Sequence, residues 1–227
     1  MQSYEITYTT RDGEAFSGYM SEPNGQEKVP GILLITAIFG IDDEMKELSD
    51  AWAADGFIVS VPDMFWRVMP GPTDDLEKAF ARYEAFDVAQ GFRDVEDLMQ
   101  TLRTHPRCNG NVGVLGYCFG GRYAQVAGSR FGANATGAFH GTFIEQHLDE
   151  VDMVKCPVSF HFGSEDPVIS MDVVKDIERA YMEHENAHIH LHANAGHNFS
   201  MPYKEGYNRE VANRSRESVL NVFKRMQ

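Results

Sequence analysis

Three side chains in this sequence have the types and the chain order needed for nucleophilic catalysis. "VLGYCFGGRYA", residues 114–124, sets Cys118 in the centre of a Gly-x-Cys-x-Gly turn between an apolar run and a helix-compatible stretch. Glycines at 116 and 120 allow a sharp strand-turn-helix path with the thiol at its apex. The N-terminus of the following helix favours negative charge there. A thiol nucleophile needs a base to take its proton and an acid to orient that base. "HFGSEDPVI" supplies Asp166 after one apolar run, and "HANAGHNFS" supplies His197 after another. Each of the three has a plainer reading. Cys118 sits on an ordinary strand-to-helix turn, Asp166 before Pro167 starts a turn or caps a helix, and His197 is a loop histidine. Glu165 is the rival acid; Asp166 is preferred because its shorter side chain holds an imidazole with fewer rotamers.

The elements that must position these groups follow from periodicity. "YEITYTTRDGEAFSGYMSEP" reads as two strands around the turn at Arg11, Asp12 and Gly13. "VPGILLITAIFG" and "FIVSVPDMF" are continuous apolar runs, the pattern of strands buried on both faces. Between them, 41–57 has helical spacing at Met45, Leu48, Trp52 and Ala53, opens with acids and ends at Gly56. A breaker-rich loop, "VMPGPTDD", leads to a helix over 76–86 and a long amphipathic helix over 87–105. The strand "NVGVLGY", a helix after Gly121, and the strands "ATGAFHG" and "CPVSFHFG" come next. The helix "MDVVKDIERAYMEH", the strand "AHIHLHA" and the helix "REVANRSRESVLNVFKRM" complete the chain. Alternation of this kind predicts an α/β fold: a mostly parallel sheet with helices on both faces and an antiparallel N-terminal hairpin. With 227 residues and no linker, repeat or low-complexity tract, the expectation is one domain over 1–227. Ligands of such sheets sit outside the carboxyl ends of the strands, where all three candidate residues fall.

Composition narrows the function classes. Thirty-four acidic against 20 basic residues give a net charge of −14, which repels nucleic-acid backbones and anionic membranes. The N-terminus has no basic start or apolar core of a signal segment, and no run is long enough to span a bilayer. Three cysteines, Cys108, Cys118 and Cys156, lack metal-ligand spacing and fit a reducing cytoplasm. His188, His190 and His192 share one face of a strand. Alternate histidines can bind metal, but no carboxylate or cysteine joins them nearby, so a packed or solvated strand face is the reading and no metal or cofactor is expected.

Taken together, "GYCFGG", "FHFGSEDPVI", "AGHNF" and "PGILLITAIFGIDD", with "VPDMF", "RVMPG" and "AFD" between them, resemble the dienelactone hydrolase family of α/β-hydrolases over nearly the whole chain. The resemblance implies Cys118 as nucleophile, Asp166 as orienting acid and His197 as base, cleaving lactones and esters through a thioester acyl-enzyme. It also implies an oxyanion hole from the backbone N–H groups of Phe119 and Ile38, matching the geometry of such turns. The family's lactone hydrolases carry a glutamate where this chain has Ala37, and that carboxylate pairs with the resting thiol. They also carry two substrate-clamping arginines, where this chain has Leu76 and Met201. Lys78 and Arg82 are candidates to replace the first. Ala37, Phe39, Trp66, Lys78, His140 and Met201 are the candidate pocket residues, with Phe199 and Met69 adding apolar surface; each has core or surface filler as its alternative. The expected activity is hydrolysis of small esters or lactones, with dienelactone itself disfavoured. The alternative is a non-catalytic ligand-binding or thiol redox-sensing protein on the same fold.

Overall fold

A computed structural model describes residues 1–227. It holds eight strands and six helices: β1 (Gln2–Thr9), β2 (Ala15–Glu22), β3 (Val29–Ile35), α1 (Asp43–Ala54), β4 (Ile58–Pro62), α2 (Leu76–Glu84), α3 (Val88–Arg103), β5 (Cys108–Tyr117), α4 (Gly121–Arg130), β6 (Ala135–Phe139), β7 (Val158–Gly163), α5 (Met171–Tyr181), β8 (Ala187–His192) and α6 (Arg209–Phe223). The chain divides into two compact units, Met1–Val112 and Gly113–Gln227, and β5 crosses the boundary between them.

In the first unit the strands run β1-β2-β4-β3. β1 and β2 pair antiparallel with Gln2 opposite Glu22 and Thr9 opposite Ala15, so the expected hairpin forms around Gly13, whose φ is +86°. β2 meets β4 antiparallel and β3 meets β4 parallel. The unbroken apolar runs are buried as their pattern required: Ile32 through Ile35 and Ile58 and Val59 have no exposed surface. Asp42, Asp75 and Asp87 cap the three helices by accepting backbone N–H bonds in the first turn. α1 then ends before Gly56, which takes φ +97°.

In the second unit β5, β6, β7 and β8 pair in sequence order, all parallel. Thr136 of β6 lies against Gly128 of α4, while its neighbour Gly137 lies against Val219 and Phe223 of α6. Adjacent strand residues point to opposite faces, so α4 and α6 cover the two sides of the sheet. All four strands therefore bring their carboxyl ends, and the loops that follow, to one edge. An element absent from the sequence reading is a run of 3-10 turns over Ile144–Met153, entered at Phe143 with φ +62°. Its short, broken turns have no clean helical period. No helix is long and apolar enough to cross a membrane.

Candidate active site

Cys118 follows the last residue of β5 and opens a three-residue 3-10 turn that leads into α4. Its φ is +48°, a strained value for a residue with a side chain. The glycines around it are forced by crowding. A Cβ on Gly116 would lie 2.2 Å from the Gly120 carbonyl oxygen, and one on Gly121 would lie 2.3 Å from Gly141 Cα. Cys118 is partly exposed, whereas Cys108 and Cys156 are buried, and all three thiols are free. Burial also pushes the Cys156 thiol up to about 11. Phe119, the next residue, is buried.

Asp166 and His197 meet across the loops after β7 and β8. Those loops are stitched together by backbone bonds from Ser164 to His192 and from Glu165 to Ala195, both 2.9 Å. The approach needs Gly163, where a Cβ would fall 2.1 Å from the Ala195 carbonyl oxygen. The two carboxylate oxygens of Asp166 make different contacts. Oδ1 accepts the N–H groups of Val168 at 2.7 Å and Ile169 at 3.1 Å, making the turn. Oδ2 lies 2.8 Å from His197 Nδ1. The Asp166 side chain is fully buried and that of His197 is 11% exposed. Glu165, the rival acid, stays exposed.

With Nδ1 on the carboxylate, His197 Nε2 is buried and without a hydrogen-bond partner. Burial alone would lower the imidazole's proton affinity. Hydrogen bonding to Asp166 and the influence of the Cys118 thiol outweigh it, raising the pKa from 6.5 to about 9. The thiol thus lies near enough to act on the ring, though outside hydrogen-bond geometry with Nε2. Such contacts are often loose before substrate binds.

The other expected site residues fall into two groups. In the second unit, His140 is fully buried with its ring centroid 4.7 Å from that of His197. Met201 and Phe199 are buried in the loop after His197. In the first unit, Ala37 is buried and Phe39 is half-buried, its carbonyl accepting the Thr73 N–H at 3.0 Å. Trp66 stacks on Phe16 with centroids 5.0 Å apart. The Lys78 side chain is 64% exposed beside Asp75. Arg82 is buried, and its guanidinium is committed to carbonyls: Nε donates to Ile38 at 2.8 Å and Nη1 to Gly71 at 2.6 Å. Arg82 is thereby committed to backbone carbonyls, while Lys78 keeps a largely exposed ammonium. Two residues that sequence reasoning passed over are Thr142, whose N–H donates to the Cys118 carbonyl at 2.9 Å, and Ser200, whose Oγ lies 3.0 Å from His140 Nε2.

The histidines of β8 are packed against the sheet's own side chains. His161 of β7 stacks on His190 and His192 and bonds through Nδ1 to His192 Nε2 at 3.0 Å. Ser159 bonds to His161 Nε2, Ser218 to His190 Nε2 and Arg214 to His192 Nδ1.

The model of the dienelactone hydrolase family matches residues 16–227. A carboxymethylenebutenolidase of Pseudomonas putida is 28% identical, over 98% of this chain and 96% of its own. A probable 2-oxo-3-(5-oxofuran-2-ylidene)propanoate lactonase of Bradyrhizobium is 25% identical, over 86% of this chain and 84% of its own. Among solved structures, a putative dienelactone hydrolase from Klebsiella pneumoniae superposes with a TM-score of 0.84 at 20% identity, covering 99% of both chains. The chain belongs to the dienelactone hydrolase family, and its fold is that of the α/β-hydrolases.

Proposed function

We propose that this protein is a cysteine-dependent hydrolase of small, uncharged esters or lactones. The observation that carries the reading is the Asp166–His197 pair: a buried carboxylate holds Nδ1 and leaves a buried, unpartnered Nε2 under the influence of the Cys118 thiol. The relatives named carboxymethylenebutenolidase and 2-oxo-3-(5-oxofuran-2-ylidene)propanoate lactonase support the lactone and ester class for the reaction.

In the proposed cycle His197 holds the proton that leaves the Cys118 sulfur, and the sulfur attacks the acyl carbonyl carbon. The oxyanion that forms takes the N–H of Phe119, the residue after the nucleophile. His197 passes its proton to the departing alkoxide, leaving a thioester on Cys118 and an alcohol, or the free end of an opened lactone. A water then gives a proton to His197 and its hydroxyl to the thioester carbon. Collapse of the second tetrahedral species expels the sulfur, and the carboxylic acid leaves. Asp166 holds Nδ1 and fixes the ring so that Nε2 faces the sulfur.

Substrate charge follows from what the chain lacks. Family lactone hydrolases hold an anionic substrate with arginines, and here those positions carry Leu76, half exposed on α2, and Met201, buried. Of the basic side chains nearby in sequence, Arg82 is buried on carbonyls and Lys78 stands largely exposed beside Asp75. A neutral acyl chain needs no cation. The test is hydrolysis of a chromogenic short-chain acyl ester and of a carboxylate-bearing lactone by wild type and Cys118→Ala. The expected result is Cys118-dependent turnover with the neutral ester preferred. Full turnover by Cys118→Ala removes the nucleophile assignment. Binding without turnover returns the chain to the ligand-binding or redox-sensing class.

A further inference from the structure

We propose that the three residues after β6, His140, Gly141 and Thr142, are a brace that sets His197 against Cys118, with His140 as the positioning residue for the base. The inference rests on the reading of His197 and Cys118 as base and nucleophile, and assigns them a support that lies in neither loop.

Each residue of the brace touches one side of the site. Thr142 fastens the nucleophile's turn: its N–H donates to the Cys118 carbonyl at 2.9 Å and its hydroxyl to the same oxygen at 3.3 Å. Gly141 lets the segment lie directly on the start of α4, since a Cβ there would sit 2.8 Å from Gly121 Cα. His140 fastens the histidine loop. Its Nε2 lies 3.0 Å from Ser200 Oγ, three residues beyond His197, and its ring packs on His197 at 4.7 Å and edge-on to Phe199 at 5.5 Å. The brace is itself anchored to the sheet, because the His140 N–H donates to the His161 carbonyl at 2.8 Å.

The arrangement is costly, which argues that it is used. His140 is fully buried at φ +42°, and its Nδ1 has no hydrogen-bond partner. A buried, unsatisfied polar nitrogen costs about 1–3 kcal/mol. Leucine would fill the space without that penalty, so packing alone does not account for an imidazole here. What leucine cannot do is bond Ser200. His197 is the one charged group that faces this ring; Tyr117, Phe199 and Ser200 supply its neutral surroundings. Burial, and then the charge of His197, hold the His140 pKa well below 6.5. The brace therefore stays neutral while the base beside it takes up and releases its proton.

The experiment compares His140→Leu, His140→Gln, Ser200→Ala and the double variant His140→Leu/Ser200→Ala. Leucine and glutamine bear the same strain at this φ, but only glutamine places a polar tip near the Nε2 position. His140→Leu and Ser200→Ala should each lower kcat about tenfold with KM within about twofold, because small misplacement of a reacting group is expensive. His140→Gln should recover most of that loss. The double variant should be no worse than His140→Leu, since both remove one bond. NMR titration of the His197 ring gives a readout that needs no turnover. Its midpoint, raised above 6.5 by Asp166 and Cys118 in the wild type, should fall in His140→Leu and Ser200→Ala as the Cys118 share is lost, and stay high in His140→Gln. Unchanged kcat and titration in Ser200→Ala, or additive losses in the double variant, overturn the proposal. Should His140→Leu fail to fold, Ser200→Ala carries the same expectations alone. Should the wild type lack Cys118-dependent turnover, the reaction reading falls, and the titration still decides whether the brace positions His197.

Discussion

Two sets of histidines lie in the second unit, and the structure drives them in opposite directions. His197 is raised to about 9, whereas His161 and His190 are lowered and His192 falls to about 4. Burial acts the same way on all of them, disfavouring the charged ring. Partners make the difference. His197 has the Asp166 carboxylate on Nδ1 and the Cys118 sulfur near its other edge. The cluster has other imidazoles, serine hydroxyls and the Arg214 guanidinium, whose charge adds to the burial effect on His161, His190 and His192. The Asp166 carboxylate and the Cys118 thiol thus outweigh burial at His197, whereas neutral partners and Arg214 leave burial to lower the cluster.

Replacing that carboxylate should break the contrast. Asp166→Asn leaves the turn bonds of Val168 and Ile169 an acceptor but removes the charge on Nδ1. We expect kcat to fall at least about a hundredfold. An alkaline limb of kcat/KM is expected from loss of the raised His197 proton, and in Asp166→Asn it should move to lower pH. A steady-state pH profile checks both. An unchanged profile would mean that Asp166 shapes the loop and nothing more.

Stability against pH sharpens the contrast, because the two sets carry opposite signs. The His197 pKa is raised in the folded state, from 6.5 to about 9. Its contribution is fully present below about 6.5 and is lost as pH rises through about 9. The His192 pKa is depressed, from 6.5 to about 4. Its contribution is present above about 6.5 and is lost as pH falls through about 4. Thermal melts of the wild type should therefore decline on both sides. Asp166→Asn should flatten the alkaline side alone. A smaller effect is expected from His192→Gln, which keeps a polar tip for His161 and Arg214 but cannot titrate. Its loss of Tm between pH 7.5 and pH 5 should be about 2 °C less than that of the wild type. If His192→Gln instead changes the alkaline side, the two sets are coupled and the comparison fails.

The sequence disclosed the scaffold better than it disclosed the supports of the site. The hairpin around Gly13, the unbroken strand runs and the acid-opened helices were legible because periodicity and capping are local properties. Cys118, Asp166 and His197 stood out as candidates because each follows a strand, and ligands in such sheets gather at strand ends. What the sequence could not disclose are pairings fixed by the folded chain. Ser200 meets His140 across 60 residues, and Thr142 meets Cys118 across 24. Arg82, a candidate substrate clamp in the sequence, donates instead to the carbonyls of Ile38, 44 residues away, and Gly71, 11 residues away. The alternate histidines of β8 gave no sign that His161 from β7 would fill the gap between His190 and His192.

The claim on which the account turns is that the acyl group passes through the Cys118 sulfur. It is tested most directly by quenching the enzyme in acid during turnover of an activated ester and locating the acyl group by peptide mass spectrometry. The account predicts one acyl group per chain, on the peptide that holds Cys118, released by hydroxylamine and absent from Cys118→Ala. An acyl group on any other residue, or turnover that survives in Cys118→Ala with no acyl group trapped, would contradict it.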